Sequence, residues 1–289
     1  MSCIEENTPL APLTYYKIGG PARFYAAPEN EPELMEISKF VREKKPKIFI
    51  LGAGSNVLFD DHGFSGLVIH TSEINNILSQ AGTELTVGAS VMVIRLLKHC
   101  MQAGLGGFER IAGIPGNMGG VFSMNAGTKT GEIKDLIEEL TCFDFLSAEK
   151  RTLGRSDLKY TYREQHFLRP YEIILQGKLR GFPKDPKLVQ QEIHELWDQR
   201  KKTQPVNKPS CGSVFKNPPG TQAWKLISDA GLRGHRIGNA QISEQHTNFI
   251  VNLGGAKAAD VKTLIEEAKT QVLKKFGISL EEEVKIIPY

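Results

Sequence analysis

The sequence predicts an α+β chain of more than one domain. Three observations carry this. Its 289 residues exceed what a single core ordinarily serves. Short apolar runs of strand length dominate the first 180 residues and are broken by two glycine-rich stretches. From about 187 onward, segments of helical period alternate with short strands, the pattern of an α/β domain.

Composition narrows the class. Hydrophobic residues make up 40% and charged residues 24%, which are globular values. The net charge is +3, with both signs interspersed, so the basic surface that tracks a phosphate backbone is not evident and no nucleic-acid partner is expected. Cys3, Cys100, Cys142 and Cys211 have neither C-x-x-C spacing nor the density of a disulfide framework. The opening MSCIEENTPL has no apolar core of a signal peptide, and no apolar run reaches membrane-spanning length. A cytoplasmic protein without membrane insertion is expected.

Residues 30 to 45 place Leu34, Ile37 and Val41 at helical spacing, with Asn30 as cap and Pro32 in the first turn. KIFIL (47 to 51), LVIH (67 to 70) and ELTVGA (84 to 89) read as strands. SVMVIRLLKHCMQAG reads as an amphipathic helix capped by Ser90 and stopped by Gly104. Residues 104 to 131 hold no helical period until 117 to 125. TCFDFL and EIILQGKLRGF read as strands, and FPKDPK (182 to 187) as a linker. Helices follow over 187 to 201 and in AWKLISDAG, then a strand in NFIVNL. ADVKTLIEEAKTQVLKKFG gives the clearest helix, with Val261, Leu264, Ile265, Ala268, Val272 and Phe276 on one face and Gly277 as its stop. ISLEEEVKIIPY reads as a final strand. The expected division is 1–70, 71–181 and 182–289, with the last strand returning to the first of these.

LGAGSNVLF follows a strand, but the third position of a dinucleotide fingerprint is Val57 and no amphipathic helix follows, so the Rossmann pattern fails. Alone, this loop reads as a strand-to-strand turn. AGIPGNMGGVFSMNAGTKTGE changes that reading. Glycines at 113, 116, 119, 120, 127 and 131 cost conformational entropy and contribute no core, which a ligand lying against the backbone explains. Pro115 at the start of a helical turn is expected to aim free N–H groups at a phosphate. Two such loops on one sheet-rich region suit a dinucleotide with a diphosphate.

TYYKIGGPARF, LGAGSNVLF, GFERIAGIPGNMGGVFSMNAGTKTGE, YTYREQHF, PSCGSVFKNP, AWKLISDAGLRGHRIGNAQISEQHTNFIVN and LEEEVKII occur in that order. Together they resemble the UDP-N-acetylenolpyruvoylglucosamine reductase (MurB) family, and its shorter, type II branch, over nearly the whole chain. The resemblance implies a two-part FAD-binding region of the vanillyl-alcohol-oxidase (PCMH-like) type plus a C-terminal α/β substrate domain. It implies a peptidoglycan-synthesis enzyme in which NADPH reduces non-covalently bound FAD and UDP-GlcNAc-enolpyruvate is then reduced to UDP-N-acetylmuramate. A monomer is expected.

Residue by residue, the resemblance implies flavin contacts at Leu51, Gly52, Ala53, Gly54, Ser55 and Asn56. It implies others at Ile114, Pro115, Gly116, Gly119, Gly120, Asn125, Gly127 and Ile173. Substrate contacts fall to Tyr162, Lys202, Asn217 and His246, and Arg163 holds the substrate carboxyl, for which its planar fork is suited. Ser213 is the proton donor. Phe215 stands where a nucleophile elbow needs glycine, so Ser213 is not an acyl-transfer serine. A serine hydroxyl is a weak acid in water but is adequate against an enolate. Lys216 has two readings, easing that proton transfer or binding phosphate. Glu283 matches the family's near-terminal glutamate, although LEEEV replaces the usual Leu-Glu-Pro-Glu-Val. Thr203 and Lys129 also depart from the pattern. The seven histidines form no metal-ligand spacing. The alternatives are another flavin oxidase on this fold, against which GSVFKNP stands, and a nucleotide-sugar-binding module without redox activity, against which Arg163, Ser213 and Glu283 stand.

Overall fold

Asn30 opens the first helix, α1 (Glu31–Lys44): its side chain accepts the Glu33 N–H, and Lys45 closes the helix in a left-handed conformation. The computed structural model describes residues 3–289; Met1 and Ser2, at the head of the expected first division, lie outside the described residues. Packing gathers the chain into two units. One comprises Met1–Glu6, Phe24–Ala53 and Gly66–Gln199, the other Asn7–Arg23, Gly54–Ser65 and Arg200–Tyr289. These units join segments that a division into 1–70, 71–181 and 182–289 keeps apart.

The first unit is built around two larger sheets. In one, strands β1 (Ile4–Pro9), β2 (Pro21–Ala26), β3 (Ile48–Leu51) and β5 (Phe64–His70) lie in the order β1-β2-β5-β3, with β3 and β5 parallel. The short β4 (Val57–Phe59) belongs to the second unit. Helix α1 covers the sheet with Leu34, Ile37 and Val41, which pack with Leu67, Ile69, Phe143 and Phe145. The other sheet is antiparallel. Its strands run Glu149–Gly154, Ile137–Asp144, Glu172–Arg180, then β7 (Glu84–Gly88) and β6 (Leu78–Ala81). Helices α2 (Val93–Ala103) and α3 (Met118–Ser123) share its core.

Helix α2 starts later than its sequence implies. Met92, not Ser90, takes the N-cap position. The carbonyls of Ala89 and Val91 accept the N–H groups of Gly119 and Met118 at 2.9 Å, which holds the chain extended through Val91. FPKDPK is no loose linker. Phe182–Pro183 pairs with Leu105–Gly106, Lys184 Nζ bridges Glu109 (3.0 Å) and Glu192 (2.6 Å), and helix α4 (Pro186–Thr203) starts at once. The strands β6 and Glu149–Gly154 went unread because they are sheet edges, largely exposed and without apolar alternation.

In the second unit, an antiparallel sheet of Arg236–Ile237, Ala240–Ile242 and Ile250–Asn252 packs against α5 (Ala223–Asp229) and α6 (Ala258–Phe276). The α6 face read from sequence is buried except for Phe276, which is partly buried, and Gly277 ends the helix at φ 67°. Tyr16, Ile18 and Leu58 complete this core. The Asp61 carboxylate accepts the N–H groups of Ala258 (2.7 Å) and Ala259 (3.1 Å), placing negative charge at the α6 N-terminus. The final strand is shorter than expected: Lys285–Ile287 runs parallel to β4, and the residues before it make a single bridge, Phe215 to Glu282.

A buried, two-pronged charge pair lies in the antiparallel sheet of the first unit. Arg151 meets both oxygens of the buried Glu172 at 2.6 Å. Burial alone would raise the Glu172 pKa, but the Arg151 hydrogen bonds and charge outweigh it, and the carboxyl sits below its usual range. Arg151→Ala strands that carboxylate and should cost about 3–5 kcal/mol in denaturant unfolding at neutral pH. Because the folded pKa is depressed, the cost should shrink as pH falls below the ordinary glutamate range.

Candidate active site

The first unit brings the two glycine loops together. A Cβ built on Gly52 would stand 2.7 Å from Asn117 Oδ1. Asn117 also caps α3, accepting the Gly120 N–H at 3.2 Å. In the helical turn that follows Pro115, the N–H groups of Met118 and Gly119 go to Val91 and Ala89, and that of Gly120 to Asn117. Between those two acceptors, Ser90 buries its hydroxyl without a hydrogen-bond partner. Leu51 and Ile173 point into the core, Ile173 beside Phe143.

Beyond α3 the loop is organised by Asn125, fully buried at φ 44°. Its amide donates to Glu132 Oε2 (2.9 Å) and the Thr161 carbonyl (3.1 Å), and its oxygen accepts the Lys134 N–H (3.3 Å). Gly127 is required where it stands, because a Cβ there would meet the Gly131 carbonyl at 2.2 Å. Tyr162 and Arg163 form the two-residue tip joining the short strands Tyr160–Thr161 and Glu164–Gln165. Arg163 adopts φ 61°; its guanidinium donates to the carbonyls of Gly127 (2.9 Å) and Asn125 (3.4 Å) and lies 4.9 Å over the Tyr162 ring. An arginine is therefore fixed to the rim of the second glycine loop.

The second unit brings Ser213, Lys216 and Glu283 onto neighbouring segments. Val214 and Phe215 are buried and paired on both sides. On one side, Asn248 accepts the Phe215 N–H on its side-chain oxygen (2.9 Å), donates its amide to the Phe215 carbonyl (2.8 Å) and takes the Val214 N–H on its own carbonyl (2.8 Å). On the other side, the Glu283 N–H donates to the Val214 carbonyl (2.8 Å) and the Lys216 N–H to the Glu281 carbonyl (2.8 Å). Lys216 pairs with the Glu281 carboxylate and Lys269 with Glu282 at 2.8 Å. Burial pushes the Cys211 thiol up to about 12, and the negative charge of nearby Glu283 adds to the rise.

Asn217 accepts the Ala223 N–H at 3.0 Å at the start of α5. Lys202 is exposed, and its carbonyl accepts from Gln245 (3.1 Å). His246 is half-buried, with its ring 4.9 Å from Phe249, and its Nδ1 is buried without a partner. Among the described residues, no group of three or more His, Cys, Asp or Glu is placed to hold a metal, and no helix is long and apolar enough to cross a membrane.

Known proteins match this arrangement along its length. A family model described as UDP-N-acetylenolpyruvoylglucosamine reductase, C-terminal domain, matches residues 204–287, and one described as FAD binding domain matches residues 22–147. The UDP-N-acetylenolpyruvoylglucosamine reductase of Syntrophotalea carbinolica is 39% identical over 286 residues, covering 99% of this chain and 95% of that protein. The chain belongs to the UDP-N-acetylenolpyruvoylglucosamine reductase family. The reductase of Listeria innocua is 40% identical over 284 residues, covering 98% and 95%. The crystal structure of the Thermus caldophilus reductase (MurB) superposes with a TM-score of 0.83 at 32% identity, covering 99% of this chain and 98% of that one. The expected fold class holds: an α+β flavin-binding region followed by a reductase C-terminal domain.

Against this reductase background, the sequence reading passed over two residues. Asn248 was read only as part of a strand, and its clamp on Phe215 has no local sequence signal, because the partners are 33 residues apart. Ser90 was read as a helix cap, the commoner role of serine before an apolar periodic run.

His246 offers a test of this geometry. Burial holds its pKa down at about 4, helped by the charges of Arg200 and Arg233. Its folded-state pKa lies below the ordinary 6.5, so the unfolded chain binds the proton more readily. Its contribution to stability is therefore complete above about pH 6.5 and is lost as pH falls towards 4. Thermal melts of wild type and His246→Gln should diverge in slope across that window, the variant being flatter. Parallel slopes would mean that His246 is protonated in the fold.

Proposed function

We propose that the protein catalyses the NADPH-dependent, FAD-mediated reduction of UDP-GlcNAc-enolpyruvate to UDP-N-acetylmuramate, a step of peptidoglycan synthesis, as a cytoplasmic monomer. The observation that carries this reading is the pairing of the GSVF and EEV segments, which holds Ser213 and Glu283 on adjacent extended segments. The flavin is held non-covalently by residues of 1–70 and 71–181, and the UDP sugar by 182–289.

The chain offers what a flavin dinucleotide needs. Leu51 to Asn56 would hold the diphosphate with their backbone, glycine allowing close approach. The second loop contributes through Ile114, Pro115, Gly116, Gly119, Gly120, Asn125 and Gly127, and the orphaned Ser90 hydroxyl completes its hydrogen bonding on the bound group. Ile173 lies behind this region and supports it through the core. When bound, FAD would supply the hydride that the alkene needs, drawn from NADPH.

The remaining chemistry belongs to side chains. Arg163 presents its planar fork to the substrate carboxylate, on which negative charge develops. The Ser213 hydroxyl gives its proton to the carbon next to that carboxylate. Glu283 stabilises the enol form of the carboxyl or assists that protonation. Lys216, paired with Glu281, is part of the electrostatic frame. Tyr162, Lys202, Asn217 and His246 hold the nucleotide sugar.

Two outcomes follow. Purified protein should be yellow and should release its flavin on denaturation; a colourless protein that cannot be reconstituted with FAD would sink this reading. Stopped-flow absorbance of Ser213→Ala should separate the half-reactions. Bleaching by NADPH should stay near normal, while reoxidation by UDP-GlcNAc-enolpyruvate should fall by about 10²–10⁴-fold, the contribution of a positioned general acid. Equal slowing of both would assign Ser213 to the fold or the flavin site instead.

A further inference from the structure

Three consecutive glutamates leave the sequence without a choice of carboxylate, since a slip of one residue along a strand turns every side chain to the opposite face. The structure holds the run in one register: the Lys216 N–H donates to the Glu281 carbonyl at 2.8 Å and Phe215 bridges Glu282, and the Glu283 peptide is bonded at both ends. The Glu283 N–H donates to the Val214 carbonyl at 2.8 Å, and the Glu283 carbonyl accepts from Asn56 Nδ2 at 3.0 Å. Asn56 also takes the Lys285 N–H on its own backbone carbonyl at 3.0 Å, just before Val57 begins the parallel pairing with Lys285. One residue of the first glycine loop thus holds the glutamate strand at positions 283 and 285. The two neighbouring carboxylates are drawn to other partners, Glu281 to Lys216 and Glu282 to Lys269.

We infer that Asn56 is a positioning residue for Glu283: its side-chain amide fixes the register that sets Glu283, and not Glu281 or Glu282, opposite Val214 and next to Ser213. The inference rests on the proposed function, in which Glu283 serves the protonation step. The role needs a donor. An aspartate of the same shape would set a carboxylate against the Glu283 carbonyl, and an alanine would leave that part-buried carbonyl without its bond.

A double-mutant cycle in the holoenzyme tests this. Reoxidation of the NADPH-reduced flavin by UDP-GlcNAc-enolpyruvate is measured per bound flavin in wild type, Asn56→Ala, Glu283→Gln and the double variant. Displacement of a reacting group should slow Asn56→Ala by roughly 10- to 100-fold. The double variant should be no slower than Glu283→Gln, because a residue acting through Glu283 has nothing left to position. In apoprotein, amide hydrogen exchange across 283–286 should accelerate in Asn56→Ala while α6 stays protected. Additive losses would overturn the inference and leave the proposed function standing. Wild-type reoxidation in Glu283→Gln would remove the proposed role of Glu283 in protonation, and the inference with it. If Asn56→Ala sheds its flavin, Asn56→Asp repeats the cycle; loss of flavin from both would assign the side chain to the cofactor and overturn the inference.

Discussion

The Val214–Phe215 dipeptide is the constraint on which the proposed chemistry depends. Both residues are buried, so every backbone polar group on them needs a partner. Asn248 satisfies one edge with three hydrogen bonds, and Glu283 with its neighbours satisfies the other. Each bond contributes only about 0.5–1.5 kcal/mol net, but leaving one unmade in a buried site costs about 1–3 kcal/mol. That asymmetry makes the arrangement nearly all-or-none. Ser213 inherits its position from Val214, and Glu283 from the same carbonyl. In the proposed reaction, a hydroxyl on a backbone held this way meets the preorganisation that a weak acid requires.

A similar economy of fixed groups appears around the second glycine loop. Asn125 spends its amide on Glu132, Thr161 and Lys134, which sets the carbonyls of Asn125 and Gly127 where Arg163 binds them. The left-handed backbones at Asn125 and Arg163 are uncommon for residues with side chains and fit a segment whose geometry is over-determined by its contacts. In the second unit, burial keeps the proton on Cys211 and keeps His246 neutral.

Local features were legible in the sequence; pairings between distant segments were not. Asn30, Gly104 and Gly277 marked helix ends because capping depends on a few adjacent residues. The α6 face was plain because six apolar side chains repeat at helical spacing. Ser90 misled because the Val91–Met118 and Ala89–Gly119 bonds that hold it extended are nearly thirty residues long in sequence. The second loop reads as offering amides to a phosphate, and the structure adds a packing reason for Gly127, where backbone meets backbone. The proposed reactive set Arg163, Ser213 and Glu283 came from ordered motifs resembling a family, and the backbone bonds to Val214 set the third of three glutamates apart from its neighbours.

That choice among three identical side chains is the most exposed part of the account. Glutamine substitutions at 281, 282 and 283, made one at a time, test it directly through reoxidation of reduced flavin by UDP-GlcNAc-enolpyruvate, measured per bound flavin. The register in the structure predicts a fall of about 10²–10⁴-fold for Glu283→Gln and only small changes for Glu281→Gln and Glu282→Gln. A comparable or larger loss at either neighbour, or equal losses at all three, would contradict it.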